Sequence, residues 1–391
     1  MSTKRSIFQD VADDAKTATV PTGPGSGPGL IERGTGRGRR ATRIWLFILF
    51  AMVVVMIAVG GLTRLTDSGL SITEWRPVSG ALPPLSHEAW LLEFDKYRAT
   101  PEYRLQNQGM SLGEFQFIYW WEWGHRQLGR AIGLVWALGL ALLWLTKRIP
   151  QGWTGKLLGL GALGGLQGAV GWWMVASGLE GTMLDVASYR LATHLGLAFV
   201  ILGVIAWFAF QLGRPAGDLM QARRHAEPKL FSMSTGLMHF AFLQILLGAL
   251  VAGIDAGRTY GDWPLMAGGF LPPDPLDITP LWRNFFENEG LVQFMHRMAG
   301  YLLFAFGLVV WRRSRSSGTD STRRAFDWMA GMMVAQVVLG IATVIYAAPW
   351  HLGILHQLGA VTLWVMILRG RFLARYPRRQ NLRQGLRGSA A

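Results

Sequence analysis

Four of the eight histidines occupy matching places in two halves of the chain. His125 and His296 each begin a His-Arg-x-x-Gly segment inside an apolar run, and His194 and His356 each lie near the beginning of another apolar run. Ionisable residues inside such runs are costly to bury and are therefore candidates for function. Two neutral imidazoles on neighbouring helices can bind the two faces of a heme iron. The pattern predicts one bis-histidine heme site in each half.

The residues next to these histidines fit a porphyrin. Arg126 and Arg297 directly follow a histidine, and a forked guanidinium matches the geometry of a carboxylate. We therefore predict that both arginines contact heme propionates. A residue small enough to leave room for the macrocycle edge follows each histidine four positions later, on the same helix face: Gly129, Ala198, Gly300 and Ala360.

Two alternatives to heme remain at this point. Polar side chains also hold membrane helices together, and a single membrane histidine is explained equally well in that way. A zinc or copper site of four histidines is the other alternative, although no carboxylate set completes a compact cluster. The chain contains no cysteine, which excludes disulfides, iron–sulfur clusters and a cysteine nucleophile. The remaining histidines are predicted to be solvated in loops (His87, His225), a helix contact (His239) and an interfacial anchor (His351).

One difference between the halves concerns a carboxyl group. Glu122 precedes His125 by three residues on the same helix face, whereas Gln293 takes the matching place before His296. A carboxyl group in apolar surroundings can move protons near neutral pH, and an amide cannot. This difference predicts chemistry in the first half and a permanent redox cofactor in the second. The alternative is a structural ion pair between Glu122 and Arg126, four residues apart.

Eight apolar runs position these residues, each close to the roughly 20 residues that a helix needs to cross a bilayer. Hydrophobic residues make up 51% of the 391, which excludes intrinsic disorder, and only 16% are charged, which excludes a large soluble domain. The predicted fold class is an all-α polytopic membrane protein with eight transmembrane helices. The runs cover residues 44–62, 120–145, 157–176, 191–212, 235–253, 291–311, 326–347 and 352–368.

The net charge of +14 follows the predicted topology. With the N-terminus inside, most of the 38 Lys and Arg fall in the two tails and the three loops on that side, and most acidic residues fall outside. This is the positive-inside rule, and it predicts that both termini are cytoplasmic. The basic character is thus explained without nucleic acid.

The chain contains an internal repeat. Asp67 and Trp75 follow the first run, and Asp255 and Trp263 follow the fifth run at one constant offset. Four helices per half is an even number, so the halves enter the membrane from the same side and should form two four-helix bundles related by a pseudo-twofold axis along the membrane normal. The first outer loop, residues 63–119, is the longest, and we expect it to be a lid or a docking surface.

Four motifs together resemble the heme A synthase family. They are GGLTRLT at residues 60–66, EWGHR at 122–126, MHRMAG at 295–300 and LHQLGA at 355–360, and the resemblance extends over residues 44–369. It implies an oxidoreductase that converts a ring methyl of heme O to the formyl group of heme A, by successive hydroxylation, for cytochrome oxidase assembly.

The resemblance also implies site roles. His125 and His194 would bind the substrate heme O, His296 and His356 would bind a heme b cofactor through its iron, and the catalytic residue would be Glu122. The implied organisation is a basic disordered tail (1–43), a substrate half (44–213), a cytoplasmic linker (214–232), a cofactor half (233–370) and a basic tail (371–391).

The implied partners are heme O synthase, cytochrome oxidase assembly factors and an electron partner that the sequence does not name, and a homo-oligomer stays open. The first apolar run lies too far in for a signal peptide, and the acidic residues before it argue against a transit peptide, so we expect a bacterial inner membrane.

Some family members have a cysteine pair in an outer loop, and this chain resembles the cysteine-free branch. A di-heme cytochrome b acting only in electron transfer is the main alternative; a transporter would predict polar residues at mid-membrane instead.

Overall fold

The computed structural model describes residues 30–76, 78–179 and 185–378, and within these ranges the regular elements are helices. No strand forms there; one isolated bridge joins Met266 and Gly269. Eight helices are long, and we label them α1 to α8 in chain order. They are Leu30–Leu65, Leu112–Leu145, Thr154–Ala176, Ser188–Leu212, Pro228–Gly253, Glu289–Ser314, Asp320–Ile345 and Trp350–Arg375.

Seven of these helices, in the part of the chain that the structure describes, are long and apolar enough to cross a membrane. The exception is α3, which is helical over 23 residues but contains Lys156, Gln167 and several glycines that lower its mean hydropathy. The all-helical, multi-span class is therefore confirmed, with seven candidate spans where the sequence predicted eight.

Helix α1 begins earlier than its apolar run, because basic residues of this segment bind the end of another helix. Arg39 donates hydrogen bonds to the carbonyl oxygens of Gln211 and Leu212, and Arg43 donates to that of Ala209. The last carbonyls of a helix have no partner within it and attract cations. This contact joins α1 to the C-terminal end of α4. Residues 1–29 and 379–391 of the predicted tails lie outside the described residues.

The contacts between long helices follow the repeat. Helices α1 and α3 both contact α2 and α4, and in the same way α5 and α7 both contact α6 and α8. Between the two sets, α4 contacts α5, and α8 contacts α1 and α4. The main core runs along this junction, where Trp364 of α8 donates a hydrogen bond to the carbonyl of Phe199 on α4.

The segment between α1 and α2 folds into a cap, which we define as residues 66–76 and 78–111. It contains the helices His87–Arg98 and Pro101–Leu105. Its core is aromatic and shared with the start of α2: Phe94 and Tyr97 pack on Phe115, with ring centres 4.9 and 5.3 Å apart. Stacked and edge-on aromatic pairs stabilise beyond the area that they bury. The cap therefore holds the first turns of α2. Glu122 follows these turns on the same helix.

The two halves are also joined where α1 and α5 end. Arg64, at the end of α1, donates hydrogen bonds to Asp67 (2.8 Å), Asp185 (3.4 Å) and Asp255 (2.7 Å). Asp67 and Asp255 are the repeated aspartates, and both have left-handed backbone angles, with φ of 48° and 53°. Aspartate tolerates this conformation better than most residues. One arginine thus connects the equivalent turns of both halves.

Candidate functional site

Each repeated histidine packs against a glycine of the preceding long helix. A Cβ at Gly60 would lie 2.9 Å from Cε1 of His125, and a Cβ at Gly171 would lie 2.8 Å from Cε1 of His194. These separations are too short for a side chain, so the imidazole edge occupies the space that an alanine would need. The second half repeats the arrangement, with Gly248 against His296 and Gly340 against His356, at 3.0 and 3.2 Å.

The two histidines of the second half face each other. The ring centres of His296 and His356 are 6.4 Å apart, and the ring planes are nearly perpendicular, at 84°. A metal bonded at about 2 Å to one nitrogen of each ring would place the ring centres roughly 6 Å apart. The spacing therefore fits one iron between two imidazoles.

Each half has one glutamine that contacts a histidine, but the two glutamines lie on helices that do not match in the repeat. The Nε2 of Gln167 on α3 donates to the carbonyl oxygen of His194 (3.0 Å) and lies 3.2 and 3.3 Å from its ring nitrogens. The Nε2 of Gln244 on α5 makes the same three contacts with His296, at 3.0, 3.1 and 3.4 Å. Such partners orient a ligand histidine and fix which nitrogen faces the metal.

The other histidine of each half keeps a buried nitrogen without a partner. The Nδ1 atoms of His125 and His356 have no hydrogen-bond partner among the described residues. A buried, unpaired nitrogen is costly unless it binds something. Because each half combines one restrained histidine with one unpaired histidine, the residues fit a bis-histidine heme. In the described ranges, no three His, Cys, Asp or Glu side chains form a group that could hold a bare metal ion.

The carboxylate of Glu122 is buried and bound on both oxygens. Its Oε2 accepts hydrogen bonds from the hydroxyl of Ser71 (2.7 Å) and the backbone N–H of Ile72 (2.8 Å). Its Oε1 accepts from Arg126 at 2.5 Å, so the ion pair considered as an alternative is present. Arg126 also donates to the carbonyl oxygens of Ile72 and Glu74. The cap, Glu122 and Arg126 therefore form one connected unit.

The second half has the same unit with an amide in place of the acid. Arg297 donates to the carbonyl oxygens of Tyr260 and Asp262 and to Oε1 of Gln293. Tyr260 and Asp262 match Ile72 and Glu74 at the repeat offset. Both arginines, predicted to contact propionates, thus bind outer-loop carbonyls here, and a propionate contact stays a prediction.

Helix α3 has an open glycine face. Gly161 contacts Trp136 of α2 and Gly171 contacts His194 of α4, so the face between these two glycines is directed into the first half. Gly164 and Gly168 lie on that face, and a Cβ at either would meet no atom within 4 Å. The matching residues of α7 are Met333 and Val337. The first half therefore has more room beside its histidines than the second.

The remaining predictions for histidines hold in part. His87, His225 and His351 are exposed, and His351 packs its ring edge-on against Trp350. His239 is exposed as well, and its predicted helix contact stays a prediction.

Gln244 was missed as a histidine partner because Met56 takes its place in the first half, which hides it from the repeat. Ser71 lies in the first outer loop, and its pairing with Glu122 is not visible in a sequence.

The comparisons with known proteins concern the chain as a whole. Residues 43–368 match the family model described as cytochrome oxidase assembly protein. Heme A synthase of Dinoroseobacter shibae is 65% identical, covering 98% of this chain and 99% of that protein. Heme A synthases of Ruegeria pomeroyi and Roseobacter denitrificans are 64% and 61% identical, each covering 96% of this chain and 98% of its own. Because the match extends over nearly the whole length on both sides, the chain belongs to the heme A synthase family of cytochrome oxidase assembly proteins.

Proposed function

We propose that this protein converts heme O to heme A by oxidising a ring methyl to a formyl group, for cytochrome oxidase assembly. The observation that carries the proposal is the duplicated pair of histidines, each held against a glycine. The family membership and the names of the relatives support the same activity. The oxidation would proceed by two successive hydroxylations of the methyl group, followed by loss of water from the hydrate.

The two halves would have different roles. His296 and His356 would hold a resident heme b, whose iron supplies one-electron redox chemistry when it is bound, and their 6.4 Å ring separation supports this. His125 and His194 would bind heme O as substrate. The open face at Gly164 and Gly168 supports this assignment, because a substrate must enter and leave while a cofactor stays.

Glu122 would hold or move the proton released near the reacting methyl. It lies one turn before His125, and Arg126 together with the cap residues Ser71 and Ile72 keeps its carboxylate in place. Arg126 is a positioning residue in this scheme, since its other bonds tie α2 to the cap.

The membrane arrangement completes the proposal. All eight long helices would span the membrane as two four-helix bundles with both termini in the cytoplasm, supported by the repeated helix contacts and by the positive charge of the cytoplasmic segments. The membrane would be the inner membrane of a bacterium. Heme O synthase, oxidase assembly factors, an electron partner and a second copy of the chain are the proposed partners.

Extraction of bound heme tests the function. The protein would be purified from cells with and without co-expressed heme O synthase, and its hemes separated by chromatography. We expect heme b in both preparations, and heme O and heme A only with the synthase. Heme b alone in both would overturn the substrate assignment and favour a di-heme cytochrome.

Three variants test the division between the halves. His296→Ala should lose the resident heme b spectrum, His125→Ala should keep it but form no heme A, and the exposed His351→Ala should behave as wild type. Identical heme loss from His296→Ala and His125→Ala would contradict the proposed roles. Glu122→Gln should retain heme b and stop oxidation, and undiminished heme A would remove Glu122 from the mechanism.

A further inference from the structure

Arginines from three separate segments meet at the C-terminal end of α4. The Nε of Arg43 on α1 donates a hydrogen bond to the carbonyl oxygen of Ala209, at 3.1 Å. The guanidinium of Arg369 on α8 lies over the ring of Phe210, 5.2 Å from the ring centre. Arg214 comes just after α4 and donates to a backbone carbonyl just after α8, at 2.6 Å. The same short stretch of α4 therefore gathers three positive charges.

These charges are not paired with acids. With the exposed Arg378 they form what we call the arginine cluster: Arg43, Arg214, Arg369 and Arg378. The charge of Arg369 is repelled by those of the other three. No carboxylate of the described residues forms an ion pair with any member; Asp218 attracts Arg214 without reaching ion-pair distance. Like charges held together repel one another and attract an anion.

Two members of the arginine cluster also keep unused hydrogen-bond donors. Among the described residues, Arg43 donates through its Nε alone, and Arg369 makes no hydrogen bond. Both side chains are only partly exposed, so water has limited access to them. A guanidinium carries five N–H donors in a fork that matches the oxygens of a phosphate. The unused donors therefore fit a phosphate group.

The arginine cluster lies at the level expected for lipid headgroups. Arg43 directly precedes the first apolar run, and Arg369 directly follows the last. Arg64 is 21 residues after Arg43 on α1, a rise of about 30 Å, which equals the thickness of a hydrocarbon core. Next to Arg43, α1 exposes apolar side chains that lipid tails can cover: Ile44, Phe47 and Ile48. This placement favours a lipid phosphate over a soluble one.

The second half closes the matching helix end in another way. At the repeat offset, Arg43 of α1 corresponds to Phe231 of α5. Arg39 corresponds to Glu227, whose backbone N–H donates to the carbonyl oxygen of Ala374 in the last turn of α8. An arginine from the facing helix is therefore not required to bind the last carbonyls of a helix in this fold.

We propose that Arg43, Arg214 and Arg369 bind the phosphate of an anionic phospholipid where α1, α4 and α8 meet. The acyl chains lie along the exposed apolar face of α1, and Arg378 adds attraction at the rim. Basic pockets between membrane helices are suited to such headgroups. A zwitterionic lipid binds less well, because its own cation is brought next to the arginines. Since α8 belongs to the second half and α1 and α4 to the first, the lipid stabilises the junction of the halves.

Native mass spectrometry of the full-length protein in detergent tests the lipid site, because it counts the lipids that stay bound. The protein is titrated with phosphatidylglycerol or with phosphatidylcholine, and wild type should retain phosphatidylglycerol at lower concentration. Arg43→Gln and Arg369→Gln should each weaken this binding about fivefold, the contribution of one arginine near an anionic headgroup. Arg369→Lys keeps the charge and should retain the preference.

The matched control is Arg313→Gln, which removes an exposed arginine at the end of α6, outside the arginine cluster. It should bind phosphatidylglycerol as wild type does. Equal retention by wild type and both glutamine variants, or equal retention of the two lipids by wild type, would overturn the proposal. Displacement of phosphatidylglycerol by millimolar inorganic phosphate would also overturn it, because the cluster would then be a site for a soluble anion.

Thermal unfolding in lipid discs separates loss of the lipid from loss of the fold. In discs of phosphatidylcholine, Arg369→Gln should unfold at the temperature of wild type, because this side chain makes no hydrogen bond to a described residue. Adding phosphatidylglycerol should raise the unfolding temperature of wild type and Arg313→Gln, and raise that of Arg369→Gln by less. An equal rise in all three proteins would contradict the site.

Discussion

Glu102 is a buried carboxyl group of the cap, and its charge should control how firmly the cap is held. Its side chain is 3% exposed, and its Oε2 has no hydrogen-bond partner among the described residues. Burial, together with the negative charges of Glu122, Asp185 and Asp67, raises the pKa of Glu102 from 4.5 to about 8, against a hydrogen bond with Tyr97 that lowers it. The folded cap therefore prefers the protonated acid.

The sign and size of the effect follow from linkage. An acid whose pKa is higher in the folded state stabilises the fold fully at any pH below its unfolded pKa. This stabilisation is lost as the pH rises through the folded pKa. At about 1.36 kcal/mol per pH unit, the difference between 4.5 and about 8 corresponds to about 3 kcal/mol lost at pH 7 and about 5 kcal/mol above pH 8. The cap should loosen between about pH 5 and pH 8.

Glu102→Gln should remove this loss, because the amide is neutral at every pH. Hydrogen exchange of peptides from residues 87–105, compared between wild type and the variant at each pH, measures the difference directly. We expect equal protection near pH 5 and greater protection in the variant near pH 8. The control is Glu88→Gln, an exposed residue of the neighbouring cap helix, which should follow wild type. Parallel protection of wild type and Glu102→Gln at every pH would refute the reasoning.

Four further variants test how the site and the two halves are held. Gly248→Ala and Gly340→Ala place a Cβ 3.0 and 3.2 Å from a histidine ring, so both should lose heme b absorbance, whereas Gly331→Ala, with no atom within 4 Å, should keep it. Gln244→Leu removes the donor to His296 and should weaken heme binding about 10–100-fold in a titration; equal affinity would exclude an orienting role. Arg64→Met should lower stability by about 1–3 kcal/mol in thermal unfolding, because three aspartates from the two halves lose their shared partner, and an unchanged transition would contradict this.

Much of the framework was predictable because the membrane restricts the choices. A helix satisfies its own backbone hydrogen bonds, so long apolar runs predict helices with little ambiguity. Seven of the eight predicted runs lie within long helices, the run 326–347 passes the end of its helix at Ile345 by two residues, and the four histidines lie in these helices. The repeat was visible because His125 and His296 keep the same neighbours in sequence.

The contacts that restrain the site were not predictable, because they join residues far apart in the chain. Ser71 binds Glu122 across 51 positions, and Gln244 binds His296 across 52. The repeat even conceals the second contact, since the glutamine that contacts histidine comes from α3 in one half and from α5 in the other. Hydrogen bonds between helices depend on how the helices are rotated, which periodicity does not reveal.

The sequence by itself therefore determined the helical class, the duplication and the four histidines, because each depends on local composition and spacing. Only the tertiary structure decided that Glu122 is bound by the cap through Ser71 and Ile72, and that α3 presents an open face. These features depend on which side chains meet across elements. That is settled by packing between helices and the cap, where a single glycine or hydroxyl changes the space or the partner available.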